Sequence, residues 1–222
     1  MTYIKAAMAF AMALACSCSM RIEPVPDPDS REAKASLYVK EGKKHLEQSE
    51  KEKSVIDQSV CRQLSRYFFE SAMFWDPSNE DAPVELAKSY YRDGKRESTI
   101  KAEEILRKAL MKRESTMGYN LLCFVRLNLL NTAGTPAERN ERADDVLAIT
   151  EVTIDWNPGN PWPYLARAEA LGCLGKDDEA SIQLNIAERL GDDDKEVRKA
   201  IEYRRKIMAV EWHTAKAMPK ED

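Results

Sequence analysis

An all-α fold, a solenoid of about four helix pairs closed by a C-terminal capping helix, is what the sequence predicts, on three observations. Ala, Leu, Glu, Lys and Arg are plentiful while Gly supplies only 8 of 222 residues, and those side chains lose little freedom in a helix. From Arg31 onward apolar residues recur at helical spacing instead of alternating, so no strand is expected. The pattern then returns along the chain. Ala72, Ala109, Thr153 and Ala187 each have apolar or small partners three and seven residues earlier: Phe69 and Ser65, Leu106 and Ala102, Thr150 and Val146, Leu184 and Ala180. With 34 basic against 38 acidic residues and 43% apolar content, the chain is neither a polybasic nucleic-acid binder nor a disordered polymer.

The N-terminus reads as an export signal. Residues 6–15 are an unbroken apolar run behind one charge, Lys5, well short of the roughly 18–20 residues that a membrane-spanning helix needs, so residues 1–15 are expected to be removed. Ala13-Leu14-Ala15-Cys16-Ser17-Cys18 follows, and small residues leading into a Cys resemble the lipobox of bacterial lipoproteins, with Ala13 standing where that pattern usually has Leu. The resemblance implies acylation of Cys16, with Cys18 as the alternative acceptor. It further implies an exported chain, held by lipid on a bacterial membrane and facing the periplasm or the cell exterior. Between Arg21 and Ser30 alternating prolines remove backbone donors and favour an extended tether over residues 16–30. At ~3.1 Å per residue, ten such residues would hold a folded body ~30 Å from the membrane.

Four units are expected in order, over residues 31–79, 80–114, 117–158 and 161–194. The first carries Tyr38-x2-Glu41-Gly42-x2-His45 and residues 65–77. The second opens at Asp81-Ala82-Pro83 and continues through Leu86-Ala87, Tyr90, a turn glycine at Gly94, then Ala102, Leu106 and Ala109. Tyr119-x2-Leu122-Cys123-x2-Arg126 with residues 146–158 forms the third. The fourth opens at Asn160-Pro161 and runs Tyr164-x2-Arg167-Ala168-x2-Leu171, Gly175, Ala180, Leu184, Ala187. Trp75-Asp76-Pro77-Ser78-Asn79 and Trp156-Asn157-Pro158-Gly159-Asn160 are the same punctuation: Pro stops one helix and Asn is available to cap the next. After the acidic start Asp192-Asp193-Asp194, residues 195–213 with Val197, Ala200, Ile201, Tyr203, Ile207, Met208 and Trp212 suit an amphipathic lid, and 214–222 a disordered tail.

Large, small, large, turn glycine, small, large, small at these intervals resembles the tetratricopeptide repeat (TPR) family. The resemblance covers residues 31–194, and residues 161–194 match one 34-residue unit without insertion. Small Gly42, Ala87, Cys123 and Ala168 would let helix backbones approach, and stacking would bury the face each pair leaves bare. Spacings of 37, 44 and 34 residues between the four aligned positions place surplus chain inside the units. Residues 48–57, 96–100 and 131–139 are therefore expected on one edge, as a partner surface or merely as longer helices.

For chemistry the residues mostly say no. There is no phosphate-cradling Gly loop, nucleophile elbow, His-Glu-x2-His helix or dinucleotide fingerprint. His45 falls at a packing position and His213 in a polar end. Asp144-Asp145 and Asp177-Asp178 read as solvated helix starts, and the triple Asp as a capping device. Cys61, Cys123 and Cys173 lack Cys-x2-Cys spacing and read as small buried hydrophobes. No enzyme, no metal and no cofactor is expected.

What the TPR resemblance implies is binding. First helices of such units line a concave surface, which points inward Lys43, Glu47, Lys88, Tyr91, Arg92, Asn120, Phe124, Asn128, Trp162 and Glu169. Lys43, Lys88 and Arg92 would hold an acidic segment while Tyr91 and Trp162 supply rigid apolar area. The expected function is a protein-interaction scaffold or adaptor in a bacterial envelope complex, with a protein or peptide partner. The alternative is an accessory lipoprotein of a periplasmic solute (TRAP-type) transporter, binding a small organic ligand or the solute-binding protein.

Overall fold

The computed structural model describes the backbone of residues 28–217 and the side chains of residues 31–206. The signal run, Cys16, Cys18 and most of the tether lie outside the described residues, as do the side chains of Ile207, Met208, Trp212 and His213. Among the described residues there are nine α-helices and no strand. They are α1 (Pro28–Lys51), α2 (Val55–Trp75), α3 (Asp81–Tyr91), α4 (Arg96–Lys112), α5 (Thr116–Asn131), α6 (Pro136–Trp156), α7 (Pro161–Cys173), α8 (Asp177–Leu190) and α9 (Lys195–Ala217).

Two boundaries differ from expectation. The first helix starts at Pro28, inside the segment assigned to the tether, because Pro is tolerated in a first turn whose N–H groups have no helical acceptor. The last helix continues to Ala217, past residue 213, since nothing in Thr214-Ala215-Lys216-Ala217 breaks a helix before Pro219.

The caps follow local chemistry. Ser54, Ser115, Thr135 and Asn160 each accept a backbone N–H of the first turn that follows. Asn79 accepts from Ala82 N at 2.9 Å although it precedes α3 by two residues. Of the triple Asp, Asp194 does the capping, accepting from Glu196 N at 2.8 Å and Val197 N at 3.2 Å. The turns of the second and fourth hairpins need a left-handed residue, and Gly94 (φ 66°) and Gly175 (φ 72°) supply it. Asn160→Ala is expected to lower stability by about 0.5–2 kcal/mol, read as a shift in the urea midpoint at unchanged slope.

Consecutive helices pair as antiparallel hairpins, and the hairpins stack. The odd helices approach in series, α1 with α3, α3 with α5, α5 with α7 and α7 with α9, whereas the backbones of the even helices stay farther apart, spanned by long side chains such as Arg142 reaching Glu103. A stack closed up on one side and splayed on the other must curve toward the closed side, so the odd helices form the inner layer. The core runs between the layers. Gly42, Ala87, Cys123 and Ala168 are all buried at the helix crossings. The aligned positions Ala72, Thr153 and Ala187 and their partners are buried too, while Ala109 is only half-buried.

The surplus chain is taken up as longer helices. The first hairpin has helices of 24 and 21 residues, against 13 and 14 in the fourth. Polar ties fix the register. Arg62 Nε and Arg66 Nη2 lie 2.8 and 2.6 Å from the two Asp93 carboxylate oxygens, clamping the second turn to α2. Arg96 pairs with Glu138 and donates to the Thr132 carbonyl at 2.6 Å, joining the start of α4 to the turn between α5 and α6.

His45 stacks on Phe68 with ring centroids 5.3 Å apart and planes 5° from parallel. Its Nδ1 is buried without a partner, and burial, only partly offset by Glu41, holds its pKa below the ordinary 6.5. The unfolded chain therefore takes up that proton first, and folding stability drains away as pH falls below about 6.5. His45→Phe is expected to flatten the Tm profile as pH falls below about 6.5, a comparison that thermal melts check directly.

Candidate partner-binding surface

On the inner layer, ion pairs answer the cations expected to hold an acidic segment. Lys43 Nζ on α1 lies 3.3 Å from Asp81 Oδ2 and 3.6 Å from Glu85 Oε1, and Lys88 Nζ lies 3.6 Å from Glu85 Oε2. Glu85 is 5% exposed and bridges both lysines. Arg92 Nη2 is 2.9 Å from Glu50 Oε1 at the far end of α1. Each of the three expected cations therefore already has a carboxylate partner: Lys43 and Arg92 join α1 to α3, and Lys88 pairs within α3. Sequence reasoning passed over Asp81, Glu85 and Glu50, although Asp81, Glu85 and Lys88 share one helical face at intervals of four and three.

Two further residues turn out to be structural. Asn128 Oδ1 accepts from Thr99 Oγ1 at 3.4 Å, so its amide faces the start of α4 instead of an open groove. Asn120 Oδ1 accepts from Asn160 Nδ2 at 3.3 Å, which ties α5 to the cap of α7. Asp145 likewise is no solvated helix start, since it lies within α6 and pairs with Arg142 at 3.3 Å.

The aromatic residues behave differently. Phe124 of α5 and Trp162 of α7 meet edge-to-face, with centroids 5.8 Å apart and planes at 62°, and both remain half-buried. Tyr91 of α3 is half-buried against the core of the second and third hairpins, and burial pushes its phenol pKa up. Glu47 and Glu169, on α1 and α7, are exposed and half-buried respectively. The inner layer thus offers an aromatic series across three successive odd helices, next to charges that are already neutralised.

At this point the stack can be set beside known proteins. It is similar to TTC0263, a thermophilic TPR protein of Thermus thermophilus, with 20% identity and a TM-score of 0.54 over 72% of this chain and 79% of that one. It is also similar to MamA of Desulfovibrio magneticus RS-1, with 13% identity and a TM-score of 0.55 over 81% of this chain and 96% of that one. MamA MSR-1 gives 17% identity and 0.54 over 79% and 87%. The fold is a TPR-like α-solenoid. No family model matches the sequence, and no curated protein does.

Among the described residues no group of three or more His, Cys, Asp or Glu could hold a metal ion, and no helix is long and apolar enough to cross a membrane. Cys61 and Cys123 are buried thiols without a disulfide. Burial pushes the Cys123 thiol up to about 12, far from thiolate formation at neutral pH.

Proposed function

We propose that the chain is a non-enzymatic scaffold whose inner face captures an apolar or aromatic segment of a protein partner. The observation that carries this is the half-exposed pair Phe124 and Trp162, presented with Tyr91 by consecutive inner helices. Rigid aromatic surface of this kind supplies much of the energy of protein contacts. Because Lys43, Lys88 and Arg92 are already paired, recognition rests on apolar anchoring. The proposal includes the anchor: acylation of Cys16, or of Cys18, on an exported chain tethered through the residues that precede the Pro28 helix start to a membrane of a bacterial envelope.

A crosslinking pulldown from membranes tests it, comparing wild type with Phe124→Ala plus Trp162→Ala. Recovery of the partner is expected to fall by roughly tenfold or more, as for aromatic hot spots, with the helical circular dichroism unchanged. Undiminished recovery would sink the groove assignment. The captured protein also separates the two envelope readings, since a transporter accessory should retrieve a solute-binding protein. Metabolic labelling with a fatty-acid analogue tests the anchor, and label that survives loss of both Cys16 and Cys18 would refute it.

A further inference from the structure

The outer layer holds a cleft that the scaffold reading does not use. The backbones of α2 and α4 stay apart, so the floor between them is α3, and a void of about 360 Å³ opens there. Met73 and Ile105 line its walls and Leu86 its floor. It is open because Ala109, a small residue that is half-exposed here, stands where a longer side chain would fill the gap.

The charge at this cleft is net positive: Lys108, Lys112 and Arg113 line it against the single acid Glu80. Lys108 Nζ is 2.6 Å from Glu104, and Arg113 Nη2 is 2.6 Å from Glu80. Lys112 forms no ion pair among the described residues, which leaves one positive charge in excess. A volume of about 360 Å³ is at the lower end of the roughly 300–1,000 Å³ of small-ligand sites. A helix of about 10–12 Å diameter cannot enter it, whereas an unbranched chain can. An anionic head group would complement the cations that line the cleft.

We infer that this outer cleft binds a long-chain carboxylate, with the tail against Met73, Leu86 and Ile105 and the head on Lys112. The inference goes beyond the scaffold reading and does not depend on it. Calorimetry with the full chain and dodecanoate, kept below its micelle concentration, tests it. One saturable site is expected, with dodecyltrimethylammonium and butanoate each binding roughly tenfold or more weakly, since one has the wrong charge and the other lacks the tail. Ala109→Trp fills the void and should abolish binding. Lys112→Glu, at an exposed position, should weaken it roughly tenfold or more with the helical circular dichroism unchanged, and Phe124→Ala plus Trp162→Ala should leave it unchanged. Absence of dodecanoate binding, equal binding of the ammonium amphiphile, or full affinity in Lys112→Glu would each overturn the inference.

Discussion

Phe69→Ala is expected to remove about 3–5 kcal/mol of folding stability, a large share of what a domain of this kind possesses. The ring is fully buried, inserted from α2 between Leu46 of α1 and Leu86 of α3. It also explains why residue 42 is Gly. A Cβ there would sit 2.5 Å from Phe69 Cε1 and under 3 Å from two more ring carbons, so Gly42→Ala in the wild type should destabilise by about 1–3 kcal/mol despite the better helix former. In the Phe69→Ala background the clash is gone, and the same Gly42→Ala should be neutral or stabilising. A double-mutant cycle by urea denaturation reads this change of sign directly. Simple additivity would show that ring and backbone do not meet as described.

Glu103→Leu is expected to be of similar size, about 3–5 kcal/mol, for an electrostatic reason. Glu103 is 7% exposed on α4, and its two carboxylate oxygens take Arg126 Nε of α5 at 3.1 Å and Arg142 Nη1 of α6 at 3.2 Å. Removing the acid leaves two poorly solvated guanidiniums whose remaining acceptors are the Asp145 carbonyl and carboxylate. Replacing all three charges together, Glu103→Leu with Arg126→Met and Arg142→Leu, should recover much of the loss, because no unpaired ion then remains buried. Chemical denaturation of both variants checks the contrast. A triple variant as unstable as the single one would mean that packing, not charge, dominates at that crossing.

The contrast between these sites shows how much was legible in advance. Phe69, Leu106, Val146, Thr150 and Leu184 were readable as core from their distance to Ala72, Ala109, Thr153 and Ala187, because burial of a helix face is a local, periodic property. Caps and turn glycines were readable for the same reason: Asn160, Asp194, Gly94 and Gly175 act within a few residues of themselves. The inner surface was readable only in outline. Phe124 and Trp162 do meet, but Lys43, Lys88 and Arg92 are met by carboxylates and Asn128 turns toward Thr99. No periodicity ranks an acceptor 38 residues away, such as Asp81 for Lys43, above solvent.

By itself, then, the order of residues determined the helices, their ends, the faces they bury and the stacking of hairpins that hides those faces. Only the tertiary structure decided which charges neutralise one another, which aromatic rings stay accessible, and that Ala109 leaves a void between α2 and α4 while its counterparts Ala72 and Ala187 are sealed. The reason is geometric. Helical periodicity is set within each helix by hydrogen bonds four residues apart, but pairing and voids are set by the separation and stagger of helices far apart in the chain.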